Sequence, residues 1–226
     1  MSLWKRLFGG RANAGSVPPL PVKVPNRSVS SPVSAASFLH SVEQGDTVAV
    51  ESALKRYPAL ASCKESGGWG ETPLHKAVAA GSAEMVKLLL SHKADVNAND
   101  GNRQSPLYDA VSRDNAEMVN LLLSYGADVN SKNETKNLAP LHVAKSKAVA
   151  EILLVKGANP NAKSSGTGRT PLHEAASKGR LGVAEALAAH GADLTVKTEA
   201  GHTPLSYAMR EGKADVAELL RRHGGR

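Results

Sequence analysis

The sequence predicts an all-α solenoid of stacked helix pairs, preceded by a flexible tail. Three observations carry this expectation. A short phrase, "TPLHKAVAAG" from Thr72, returns as "SPLYDAVSRD" from Ser105, "APLHVAKSK" from Ala139, "TPLHEAASKG" from Thr170 and "TPLSYAMREG" from Thr203, at steps of 33, 34, 31 and 33 residues. A second block travels with it: "EMVKLLLSHKADVNA" from Glu84, "EMVNLLLSYGADVNS" from Glu117, "EILLVKGANPNAK" from Glu151 and a looser "EALAAHGADLTVK" from Glu185. Inside each unit the apolar residues recur at helical spacing. An active site is built once per domain, so a phrase that recurs at a fixed period belongs to the architecture.

The 226-residue chain divides by composition. Residues 1–36 hold Lys5, Arg6, Arg11, Lys23 and Arg27 and no acid, so this segment is basic. The remaining 23 basic residues face 21 acids, and the repeated part is nearly neutral. An array without a surplus of positive charge is not expected to bind nucleic acid through phosphates. Cys63 is the single cysteine, which excludes a disulfide framework and a thiolate zinc site and suits a reducing, cytoplasmic setting. Aromatic residues make up only 4%, so the core is expected in small layers of Leu, Val and Ala.

In the tail, "MSLWKRLFGG" sets Leu3, Trp4, Leu7 and Phe8 on one helical face and Lys5 and Arg6 on the other. That pattern suits an interfacial helix on an anionic membrane surface, with disorder or docking onto the array as alternatives. Residues 11–36 are rich in Pro, Ser and Val without period and read as linker. Within them "PPLPVK", Pro18 to Lys23, fits a PxxP ligand of SH3-type domains, a pattern that also arises by chance in proline-rich linkers.

The array is expected over 37–226: a cap at 37–67 and units at about 68–100, 101–134, 135–165, 166–198 and 199–226. The cap, "ASFLHSVEQGDTVAVESALKRYP", breaks at Gly45 and stops at Tyr57-Pro58. In the first full unit Thr72 is a good N-cap and Pro73 suits the first helical position. Leu74, Ala77 and Val78 follow, and Gly81 ends the helix. Ser82 opens a second helix with Met85, Val86, Leu88, Leu89 and Leu90 apolar. "ADVNAND", rich in turn formers, leads to the next unit. Helices this short persist only by burying their apolar faces on neighbours. The chain ends in "ADVAELLRRHGGR", with Arg221, Arg222 and His223 suited to a negative helix end.

These residues resemble the ankyrin repeat: "TPLH", then "A…G…E.V..LL", then "GADVN". The resemblance covers five units plus a degenerate first one. It implies antiparallel helix pairs stacked in a solenoid, with β-hairpin-like fingers projecting from it. It also implies that Thr72 with His75, and Thr170 with His173, lock a turn by hydrogen bonding. His142 faces Ala139 and lacks a hydroxyl partner, while Ser105–Tyr108 and Thr203–Ser206 are altered pairs. No acid or oxyanion arrangement accompanies the Thr–His pair, so no enzyme, metal or cofactor is expected.

Two departures stand out. Glycine follows the outer helix at Gly126, Gly157, Gly191 and Gly224, but Lys93 takes that place in the first full unit. The third full unit lacks three residues and its inter-helix glycine, which predicts a shortened inner helix or a tightened connection. That deletion is either a tolerated change at a surface turn or a dent that shapes a partner site. The long finger region "NSKNETKN" before it suggests a mobile tip.

The resemblance implies another protein as partner, bound by fingers and inner helices to a monomeric array. It selects Trp69 and Glu71 on the first finger and Asn102, Arg103 and Gln104 on the second. Tyr108 and Arg113 follow on the next helix, then Lys136, Leu138, Arg169, Lys178, His202 and Arg210. Trp, Tyr and Arg concentrate binding energy, which favours Trp69 and Arg113; Trp69 either anchors a partner or folds back onto the cap.

Overall fold

The computed structural model describes residues 33–66, 69–134 and 136–225. Leu3 to Phe8, expected from the sequence to suit a membrane surface, and the proline-rich motif lie outside these residues. Among the described residues there are twelve α-helices, no β-strand, and no helix long and apolar enough to cross a membrane.

The capping pair is α1 (Ala35–Glu43) and α2 (Thr47–Arg56), followed by a 3-10 turn at Pro58–Ser62. Five pairs follow, α3 (Pro73–Ala79) with α4 (Ala83–Ser91), α5 (Pro106–Ser112) with α6 (Ala116–Ser124), and α7 (Pro140–Val143) with α8 (Lys147–Val155). The last two are α9 (Pro171–Lys178) with α10 (Leu181–Ala189), and α11 (Pro204–Arg210) with α12 (Ala214–Arg222). Every inner helix from α3 on starts at the proline after a Thr, Ser or Ala. Proline is pre-set to helical φ and the amide it lacks would have been unpaired there. Outer helices α4, α6 and α8 are capped by the side chains of Ser82, Asn115 and Ser146.

Inner helices stack in one layer: α3 on α5, α5 on α7, α7 on α9 and α9 on α11. A column of leucines, Leu74, Leu107, Leu141, Leu172 and Leu205, is buried in it. Outer helices form the second layer around Leu89, Leu122, Leu153, Leu187 and Leu220, all fully buried. Phe38 fills the space at the cap. Each layer needs its neighbours, so the coupling is nearest-neighbour throughout.

Between repeats, the backbone forms fingers. Each is a hairpin closed by one backbone hydrogen bond, donated by Glu65 to Glu71, Asp100 to Gln104, Asn133 to Leu138, Ser164 to Arg169 and Thr198 to His202 (2.9–3.1 Å). Neighbouring fingers are joined by amides of Gly101, Glu134, Ser165 and Glu199, which donate to the carbonyls of Trp69, Asn102, Lys136 and Thr167. On the far edge, Asn97, Asn130 and Asn161 each clamp the next repeat. Their Oδ1 atoms accept from Asp128, Asn159 and Asp193, and their Nδ2 atoms donate to the carbonyls of Gly126, Gly157 and Gly191.

Lys93 occupies the left-handed region at φ 66°, as Gly126, Gly157, Gly191 and Gly224 do in the other repeats. Lys93→Gly is therefore expected to raise stability by about 0.5–1 kcal/mol, because glycine enters this region without steric cost. A lower urea midpoint for the variant would refute it. Asp114 (φ 59°) stands where Gly81 and Gly179 stand in neighbouring repeats. Its departure has a reason, since Oδ1 accepts from the Ser146 hydroxyl (2.7 Å) and amide (3.2 Å) one repeat on.

The third full repeat carries the shortened inner helix that the deletion predicts. α7 has four residues where its neighbours have seven or eight. Ala144 leaves helical geometry (φ −53°, ψ 132°), and the chain passes directly into α8. The carbonyls freed at this early end are taken by Arg180, whose Nη1 lies 2.8 Å from Ala144 O and 3.4 Å from Val143 O.

Candidate functional site

The "TPLH" histidines are structural locks with one geometry. Nδ1 of His75 accepts from the amide (3.3 Å) and hydroxyl (2.8 Å) of Thr72; Nδ1 of His173 does the same with Thr170 (3.1 and 2.9 Å). An accepting Nδ1 puts the proton on Nε2, which donates to the next finger, at Gln104 O (3.0 Å) and His202 O (3.0 Å). His142 keeps the amide bond to Ala139 (3.2 Å) and reaches Arg169 O (3.3 Å) without a hydroxyl. Burial lowers the pKa of all three imidazoles. In the altered pairs, Ser105 and Thr203 use their hydroxyls to cap the inner helices, and Ser206 donates to Thr203 O (2.7 Å).

Fingers two to five share a further device. A short polar side chain at Asp100, Asn133, Ser164 or Thr198 accepts amides from the far side of its own hairpin. The region expected to have a mobile tip is thus pinned at its base by Asn133, which is buried.

The predicted contact residues fall into distinct environments. Trp69 is 67% exposed, on the first finger, rather than folded back on the cap. Its carbonyl holds Gly101 of the second finger, beside Asn102, Arg103 and Gln104. Arg103 pairs with Glu134 (2.9 Å), and Arg113 is exposed at the end of α5. Tyr108 is buried at 9% exposure and stands where three other repeats place the histidine lock. Glu71 belongs to a cluster: Nζ of Lys76 lies 2.9 Å from both Glu43 and Glu71 and 3.2 Å from Glu65. Burial opposes the charge on Lys76, but these three carboxylates outweigh it and raise its pKa. Next along the inner helices, burial and the charge of nearby Asp100 push Asp109 up to about 6.

At the other end, three predicted residues gather on one that sequence reasoning missed. Guanidinium carbons of Arg169 and Arg210 lie 4.5 and 4.7 Å from the Tyr207 ring centroid. His202 meets the same ring edge-on at 5.8 Å, and His173 at 5.6 Å. Tyr207 occupies the inner-helix column of Lys76, Asp109, Val143 and Glu174. An aromatic in that otherwise non-aromatic column was the available signal. Arg169 also pairs with Glu174 (3.0 Å). Lys136, Leu138, Arg169 and Lys178 line a single groove of 530 Å³. No cluster of three or more potential metal ligands occurs among the described residues.

A sequence-family model described as "Ankyrin repeats (3 copies)" matches residues 38–133 and 136–226. The chain belongs to the ankyrin-repeat family, whose members serve generally as protein–protein interaction modules. The fold is similar to a solved structure titled as the ankyrin repeat domain of Bcl-3, a member of the IkappaB protein family. The TM-score is 0.74 at 26% identity, over 84% of this chain and 86% of that one. A curated relative, the 2-5A-dependent ribonuclease of Mus musculus, is 40% identical over 67 residues. That match spans 30% of this chain and only 9% of the ribonuclease.

Proposed function

We propose that this chain is a non-enzymatic recognition module that docks a partner protein on its fingers and inner helices, as an adaptor, inhibitor or localising scaffold. The observation that carries this reading is Trp69, a large aromatic left two-thirds exposed on a finger whose backbone is fixed by its neighbour. Anchors of this type bury much area at modest entropic cost, and a preformed backbone reduces the ordering cost of binding. Arg113 supplies a second anchor on the adjacent inner helix. The histidines that first suggest chemistry are all committed to backbone partners. We place the protein in the cytoplasm, where the free Cys63 thiol stays reduced.

The test is capture of partners from a lysate on the immobilised full chain, beside Trp69→Ala and Arg113→Ala. Both residues are exposed, so each variant is expected to melt within about 0.5 kcal/mol of the parent. Trp69→Ala is expected to weaken partner binding by about tenfold or more, measured by titration of the captured protein. Undiminished affinity in both variants would move the site off this face.

A further inference from the structure

The deletion in the third full repeat removes part of the inner layer. α5 runs on to Ser112 and α9 to Lys178, but α7 stops at Val143. This repeat supplies nothing to match Ser112–Arg113 or Ser177–Lys178 of its neighbours. The groove left there, 530 Å³, lies within the roughly 300–1,000 Å³ of ligand clefts. It is lined by four cationic side chains, Lys136, Arg169, Lys178 and Arg180, against one carboxylate, Glu174.

We propose that this groove receives an acidic segment of the partner protein: an extended stretch of chain carrying successive carboxylates. The proposal rests on the recognition reading above and names what part of a partner would bind where. Its first support is charge without a countercharge. Glu174 is already taken by Arg169. The ammonium groups of Lys136 and Lys178 are exposed and have no ion pair among the described residues. Elsewhere on these fingers and inner helices Lys76, Arg103 and Arg210 have carboxylate partners, and cations without an ion pair, such as Arg113, lie outside this groove. Its second support is cation density: the guanidinium groups of Arg169 and Arg180 line the same groove as the two unpaired ammonium groups.

The arrangement also selects the form of the anion. Lys136 and Arg169 come from two successive fingers, Lys178 from the end of α9 and Arg180 from the cap of α10. Cations contributed by three separate stretches of chain suit carboxylates strung along a chain, where alternate side chains of an extended peptide repeat about every 6.5 Å. Leu138 and Val143 add apolar lining for the stems of those side chains. Arg180 is held in place by the carbonyls of Val143 and Ala144, so the groove does not have to order it on binding.

Fluorescence polarisation of the full chain with a fluorescein-labelled oligoglutamate peptide tests this, with oligoglutamine as the neutral control. Saturable binding of oligoglutamate alone is expected, weakening as salt is raised. The paired change Lys136→Glu, Lys178→Glu is expected to weaken it by about tenfold or more. Thermal melting should show that pair still folded, because both side chains are exposed. A second pair, Lys55→Glu with Arg222→Glu, makes the same charge change on outer helices at side chains 66% and 67% exposed, and is expected to leave binding unchanged. Equal loss in both pairs would reduce the effect to overall charge and overturn the proposal. So would an absence of oligoglutamate binding. Tighter binding of a phosphoserine peptide or a single-stranded oligonucleotide through the same two lysines would replace the acidic segment with that ligand. If the groove pair leaves partner binding intact while Trp69→Ala abolishes it, this proposal falls and the recognition reading stands.

Discussion

His173→Ala is expected to lower the unfolding free energy by about 3 kcal/mol, a large share of what a small domain possesses. The imidazole satisfies three groups at once. Nδ1 accepts the amide and hydroxyl of Thr170, both on a residue 1% exposed, and Nε2 reaches into the next finger at His202 O. Removing the ring leaves a buried amide and a buried hydroxyl unpaired, each costing about 1–3 kcal/mol when no water replaces the partner. The His202 carbonyl keeps the Thr198 amide (2.9 Å), so it is not left unpaired. The edge contact with Tyr207 goes as well, adding about 0.5–1.5 kcal/mol at most. Because repeats couple only to neighbours, hydrogen-exchange protection should fall most in α9 to α12 and least in the cap. Urea unfolding that shows a loss under about 1 kcal/mol would mean that the lock is decorative.

Much of the fold was legible because each repeated residue performs the same local job in every copy. Thr72 and His75 meet within one turn, and Lys93 betrays its left-handed backbone because four other copies put glycine there. The missing residues after Leu141 could be counted, and the short α7 is their direct consequence. What was not legible depends on side chains that reach one repeat further. Arg180 caps carbonyls 36 and 37 residues earlier in the chain, and Asp114 forgoes glycine to bind Ser146 across 32 residues. Periodicity brings such pairs to one level of the solenoid but does not say which rotamers meet. Contact residues suffered most from this. Tyr108 stands in the histidine's place in the repeat, which the aligned copies already show, but that its ring is 9% exposed depends on the neighbouring repeats. Tyr207, passed over, organises Arg169, Arg210 and His202. Whether Trp69 pointed outward rested on tertiary packing, which composition does not encode.

The three locks also make stability depend on pH, in a direction their geometry fixes. An Nδ1 that accepts and an Nε2 that donates to a carbonyl describe a neutral ring. Protonation would turn Nδ1 into a second donor facing an amide. Burial accordingly holds His75, His142 and His173 below the ordinary imidazole value of 6.5. Above pH 6.5 folded and unfolded rings are both neutral, and the locks contribute in full. As pH falls below 6.5 the unfolded chain takes up protons that the folded chain refuses. Stability then declines by up to about 1.4 kcal/mol per pH unit for each histidine, until the folded rings titrate as well. Asp109 works against this. Its carboxyl is pushed up from 3.8 to about 6, so between those values the folded chain holds a proton that the unfolded chain releases. Three histidines therefore act unopposed only from pH 6.5 to about 6, and below that one of the three is offset. Urea midpoints should drop between pH 7 and pH 5, and more steeply in Asp109→Asn, where the opposing carboxyl is gone. A flat profile would show that the rings accept protons in the folded state, and with them a different hydrogen-bond pattern.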